Sequence, residues 1–142
     1  METIFTKIIN GEIPGTFVWR DETCVAFLDI APVAYGHTLI VPVAQVDKWT
    51  DLDPATWAHL NQVAQTIGQA IIEVFGSQRA AHIIAGFDVP HTHIHCFPAN
   101  SMADYNFANA IAPDRVDEEK MRRAAAGLRR VLGTGEDGYP LA

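Results

Sequence analysis

Cysteine is scarce in this chain. Cys24 and Cys96 are the only two, and neither belongs to a C-x-x-C pair. That argues against a disulfide framework or a cysteine-rich zinc module and suits a reducing, cytoplasmic setting. Long apolar runs are also missing, so no membrane span is expected. The segment Met1-Glu2-Thr3-Ile4-Phe5-Thr6-Lys7 lacks a basic stretch ahead of a long apolar one, so no secretory signal is expected. Basic charge is in the minority, with ten Lys and Arg against seventeen Asp and Glu and a formal charge of −7. A nucleic-acid backbone binder would present a basic face, so that class is set aside. A small nucleotide, held by a local site, is not. Internal repeats are absent. The 142 residues, 49% of them hydrophobic, suit one domain with a real core.

Histidine is concentrated. Three of the six sit in Val89-Pro90-His91-Thr92-His93-Ile94-His95-Cys96-Phe97-Pro98, on every second residue. A β-strand sends alternate side chains to opposite faces, roughly 7 Å apart along each face. His91, His93 and His95 would then share one face, and Thr92, Ile94 and Cys96 the other. The second set suits a core. Three imidazoles in a row do not, unless they have partners. Three readings are open at this point. The run is a surface strand that happens to carry histidine. Or it binds a metal, as three imidazoles plus water do in some zinc sites. Or one imidazole is a covalent nucleophile and its neighbours orient it and handle charge.

The rest of the chain reads as alternating short elements. Thr3 caps a short helix ending at Asn10-Gly11. Phe17–Arg20 and Cys24–Leu28 read as two strands joined by a hairpin-length connection. Asp29 follows, by itself a turn residue. His37–Pro42 reads as a third strand. Asp53-Pro54 opens the clearest helix, whose Trp57, Leu60, Ala64, Ile67, Ile71 and Val74 recur at three- and four-residue steps until Gly76. Ala81–Ala85 reads as a fourth strand, and Gly86-Phe87-Asp88 leads into the histidine strand, the fifth. Asp88 is either an exposed turn residue or a carboxylate facing the histidines. His59 and His82 carry no supporting motif. The stretch 99–113 reads as irregular, Asp117–Leu132 as a second long helix with an arginine-rich side, and 133–142 as a loose tail.

Taken together these residues resemble the histidine triad (HIT) family of nucleotide hydrolases and transferases, most nearly its Hint-type nucleoside phosphoramidases. His91-Thr92-His93-Ile94-His95-Cys96-Phe97 resembles the family's signature. Three further blocks are similar in the same order: Ile4 to Pro14, Cys24 to Ile30, and Gly36 to Pro42. The resemblance implies an α+β fold, a five-stranded antiparallel sheet with a long helix packed on it, as a HIT domain over residues 1–98. A C-terminal extension with one helix, 99–142, follows. It implies a two-fold homodimer and a purine-nucleotide type of small-molecule substrate, with no nucleic-acid or membrane partner. By the same resemblance His93 is the nucleophile, flanked by His91 and His95 and completed by His37. Asp29 matches the carboxylate that holds the ribose hydroxyls, and Phe5, Ile8, Phe27 and Ile30 match positions around the base. Zinc-bearing relatives carry a Cys-x-x-Cys near the start. Thr3 and Thr6 stand in those positions here, so no metal and no cofactor is expected. Ala85 stands where relatives carry an Asn in a longer loop. The activity expected is cleavage of nucleoside phosphoramidates or related nucleotidyl compounds through a nucleotidyl-histidine. A non-catalytic nucleotide-binding regulator of the same fold, or a metal-dependent hydrolase using the His strand as ligands, is the alternative.

Overall fold

In the computed structural model, which describes residues 1–142, three α-helices accompany one sheet. In chain order they are α1 (Ile4–Ile9), β1 (Phe17–Arg20), β2 (Cys24–Leu28), β3 (Thr38–Pro42), α2 (Pro54–Phe75), β4 (Arg79–Ile83), β5 (Ile94–Ala99) and α3 (Glu118–Leu132). The five strands run antiparallel in the order β1-β2-β3-β5-β4. This is the expected α+β arrangement. The helix starts are the capping residues read from the sequence. Thr3, Asp53 and Asp117 each accept backbone N–H groups of the first turn, and Gly76 and Gly133 end α2 and α3 in the left-handed region.

Strand alternation divides the core in two. Cys24, Ala26 and Leu28 of β2, Ile40 of β3 and Ile94 and Cys96 of β5 face α2 and join its Leu60, Val63, Ala64, Ile67, Ala70 and Ile71. Each such large side chain contributes about 1.5–3 kcal/mol by leaving water. Val25 and Phe27 of β2 and Leu39 and Val41 of β3 point to the other face, where Phe5 and Ile8 of α1 cover them. His95 alternates with Ile94 and Cys96 and so falls on this second face. The helix that dominates the core and the histidines thus lie on opposite sides of the sheet.

Helix α3 packs on α2 and β1, with Ala124, Ala125 and Leu128 buried in the α2 core. The expected loose tail is docked. Thr134 Oγ1 donates to Val18 O at 2.7 Å, Arg129 Nε donates to Phe17 O at 2.8 Å, and Thr134 pairs with Pro140. The first two contacts have no local signature, because each joins residues more than a hundred apart.

The last two strands form the expected hairpin with shifted boundaries. β5 begins at Ile94, after His91 and His93, and β4 ends at Ile83. Pro90 cannot donate to a ladder. His91 N–H instead bonds Val89 O at 2.8 Å, and Thr92 bonds Val46 O through both its N–H (2.7 Å) and its hydroxyl (2.8 Å). The chain from 84 to 93 is therefore a ten-residue connection tied to the segment after β3.

Candidate active site

Four histidines and one carboxylate meet on the sheet face away from α2. His95 stands on β5. His93 lies in the extended residues just before it. His37 lies immediately before β3, placed by the turn at Gly36. That glycine has φ of +100°, and a Cβ there would run into the Phe75 ring, so the approach to His37 requires glycine. Asp29 directly follows β2, and its N–H bonds His37 O at 2.9 Å.

The fixed donors and acceptors decide which imidazole nitrogen carries each proton. Val33 N–H donates to His37 Nδ1 at 3.1 Å, so the His37 proton is on Nε2. That nitrogen is 2.9 Å from His95 Nδ1, which must accept. His95 then presents an Nε2–H. For His93 the order is reversed. Its Nδ1 lies 2.7 Å from the carbonyl of His91 and must donate, which leaves a lone pair on Nε2. Two neighbouring rings, with centroids 4.9 Å apart, thus offer opposite groups, a lone pair and an N–H donor.

His91 is different. It is fully buried, with Nε2 donating to Pro42 O at 2.8 Å and Nδ1 2.8 Å from Thr3 Oγ1. Both nitrogens are spent, and the ring is not part of the wall that His37, His93 and His95 share. What it offers His93 is its backbone carbonyl. The structure therefore brings His37, His93 and His95 to one opening and sets His91 behind them.

That opening is a cavity of about 460 Å³ lined by Asp29, His37, His93 and His95, by Asp88 and its loop neighbours, and by Phe107. Beside it lies an apolar cavity of about 260 Å³ whose walls include Phe5, Ile8, Phe27 and Ile30, and again Asp29. All five residues assigned by resemblance to nucleotide binding share that second cavity. Asp29 is common to the two. Its Oδ1 accepts from Ala31 N–H at 2.9 Å, and its Oδ2 is 3.6 Å from His37 Nε2.

Burial favours the neutral form of His37, His91 and His95. It pushes His37 down to about 3, helped by the positive charge that His95 and His93 would carry. Burial likewise pushes His95 down to about 4, reinforced by His93 and opposed by the Asp88 carboxylate. Burial lowers His91 too, opposed by the bond that its Nε2–H donates to Pro42 O. Asp29 is raised, chiefly by burial, with the Ala31 N–H pulling the other way.

The donor sets do not fit a metal. Thr3 and Thr6 offer hydroxyls, and Thr3 bonds His91 directly, so zinc's preferred thiolates are missing. Asp29, His37 and His95 place donor atoms within 4.8 Å, but the two rings already bond each other. Asp21, Cys24 and His59 form a second such group. There the Asp21 carboxylate accepts from Trp19, His59, Thr23 and Cys24, which saturates it, and burial pushes the Cys24 thiol up.

Three contributors were not legible as such. Phe107, from the stretch read as irregular, sets its ring 4.7 Å from His95. Thr3 doubles as helix cap and partner of His91. Val33 fixes the His37 tautomer through its backbone alone, which no residue type signals.

A HIT domain family model matches residues 10–102. The chain belongs to the HIT family. Among HIT relatives, it is 34% identical to a HIT-like protein of Borreliella burgdorferi over 104 residues, 68% of this chain and 75% of that one. It is 31% identical to Adenylylsulfatase HINT3 of Arabidopsis thaliana over 102 residues, 68% of this chain but only 52% of the longer plant protein. The fold superposes on a HIT-like protein involved in cell-cycle regulation from Bartonella henselae with a TM-score of 0.79 at 27% identity, covering 92% of this chain and 96% of that one. It superposes on a zinc-bound histidine triad protein from Mycobacterium smegmatis with a TM-score of 0.76 at 29% identity, covering 94% and 97%. The HIT fold is a nucleotide-binding and hydrolase fold. No helix of this chain is long and apolar enough to cross a membrane.

Proposed function

We propose that this HIT protein is a hydrolase or transferase that cleaves nucleoside phosphoramidates, or related nucleotidyl compounds, through a covalent nucleotidyl-His93. One observation carries the reading. His93 Nδ1 is held by the His91 carbonyl, so a bare Nε2 meets a cavity that Asp29 joins to an apolar one. A nucleotide fits that sequence of surfaces. The base enters the apolar cavity against the wall that Phe5 and Phe27 form, two rings packed edge to face on each other with centroids 5.6 Å apart. The ribose hydroxyls donate to Asp29, an acceptor-only group when ionised. Phosphorus then lies at the histidines.

In the first step the His93 Nε2 lone pair forms a bond to phosphorus. The P–N bond breaks, and its electron pair leaves with the amine nitrogen, which takes a proton from the water that reaches this open cavity. His95 Nε2–H donates a hydrogen bond to the phosphoryl oxygen as charge builds there. In the second step water attacks phosphorus, the Nε2–P bond breaks with its pair returning to His93, and water's surplus proton goes to solvent. The products are a nucleoside monophosphate and an amine. Two easier displacements replace one difficult one.

The same reading carries a two-fold dimer in the cytoplasm. β4 is an edge strand whose outer side is free to pair, and both cysteines are unpaired and buried. Turnover of an adenosine phosphoramidate by the wild-type chain, lost in His93→Ala with the circular dichroism spectrum unchanged, is the expected result. Normal turnover by His93→Ala would end the proposal.

A further inference from the structure

The nucleotide half of the proposed substrate has a place; the group that leaves it does not yet. With the base beside Phe5 and Phe27 and phosphorus beside His93, the displaced group occupies the part of the histidine cavity that the apolar cavity does not share. Ala85, Gly86, Phe87, Asp88, Phe107 and Ala110 line that part. Its make-up is unusual for a phosphate site. It holds one carboxylate and no Lys or Arg. Asp88 is exposed and engaged in no ion pair within the chain. Phe87 is 95% exposed, and Phe107 keeps 41% of its surface open although its ring abuts His95. Phe107 is held in place, since Asn106 caps its turn at Ala108 N–H and Ile111 N–H bonds Pro32 O at 2.9 Å. Phe107 and Ala110 also lie beyond the residues the HIT domain model matches, so this wall belongs to the chain's own C-terminal segment.

We propose that this end of the cavity is a leaving-group subsite for an amine with an apolar body and a second positive charge. The two aromatic rings offer surface to a hydrocarbon chain, and an ammonium on that chain meets the free carboxylate. A leaving group that is itself a phosphate chain meets the same carboxylate with like charge. The inference rests on the phosphoramidate reading above and adds the class of amine.

The test compares four substrates on one enzyme preparation. They are adenosine phosphoramidate with ammonia as leaving group and its derivatives of hexylamine, aminohexanol and hexanediamine. The hexanediamine derivative is expected to exceed the neutral aminohexanol derivative in kcat/KM by about threefold to fivefold, as suits a solvent-accessible ion pair. In Asp88→Asn that ratio falls to about one. In Phe107→Ala the hexylamine derivative loses about tenfold relative to the ammonia parent, from lost apolar contact. A diamine ratio that is one in the wild type, or that survives Asp88→Asn, overturns the proposal and leaves the nucleotidyl-His93 reading standing. Failure of the wild type to cleave even the ammonia parent overturns both.

Discussion

Neutral, buried histidines make acid the natural enemy of this fold, and the size of the effect follows from the site. His37 is 1% exposed and His95 9%, and burial holds them near 3 and 4. In the unfolded chain both return to about 6.5. Between those values the unfolded state binds protons that the folded state refuses, so stability falls as pH falls. The loss begins near pH 7 and continues until the folded rings themselves titrate. From pH 7 to pH 5 each histidine removes roughly 2 kcal/mol, about 4 kcal/mol for the pair, a large share of a small domain's stability. His91, lowered by burial, acts in the same direction. Asp29, raised by burial, acts in the opposite direction as it takes up its proton. Urea unfolding at pH 7, 6 and 5, with the m value constant, measures the loss directly. His37→Gln, which has no ring to titrate, should show about half of it. A stability flat to within 1 kcal/mol (about one quarter of the expected loss) would mean that these rings are charged in the folded state, and the assigned tautomers would fall with it.

Other consequences are as open to measurement. Asp29→Ala should weaken ribonucleotides by about tenfold or more, the value of hydrogen bonds to a charged group, and 2′,3′-dideoxynucleotides far less; equal weakening would make Asp29 a turn residue only. His91→Ala should cost about 3 kcal/mol in urea melts, because it strands the Pro42 carbonyl and opens a void in a fully buried place. Thr134→Val should cost about 1–2 kcal/mol and free the C-terminal residues to proteolysis, since its hydroxyl is the buried link from the tail to Val18. Activity should survive exhaustive chelation, and zinc lost in step with activity would favour the metal reading instead.

The sheet, its helices and their caps were legible because each rests on local rules. Alternation in Cys24–Leu28, the three- and four-residue steps of α2 and the Asp53-Pro54 start all lie within one element. The same alternation placed Ile94 and Cys96 in the core and His95 on the far face. It did not show that His91 and His93 precede the strand, because that depends on Val46 and Val89 competing for the hydrogen bonds of His91 and Thr92. Nor did it separate His91 from its neighbours. Its burial is set by Thr3, 88 residues away, and by Pro42. Nor did alternation show how tightly His93 is packed: the ring is only 4% exposed and edge-on to Phe5 at 4.9 Å, so truncating it should cost about 1–2 kcal/mol. Phe107 was invisible because its role comes from the path of the whole 99–113 segment.

The central claim is that His93 Nε2 takes up the nucleotidyl group. Mixing the protein with adenosine phosphoramidate, quenching within the first turnover under conditions that preserve phosphohistidine-type bonds, and mapping peptides by mass spectrometry tests it most directly. The account predicts one adenylylated peptide, modified at His93, absent in His93→Ala and chased away by further incubation in water. Adenylylation on His95 or His37, or turnover with no adduct at any quench time, would contradict it.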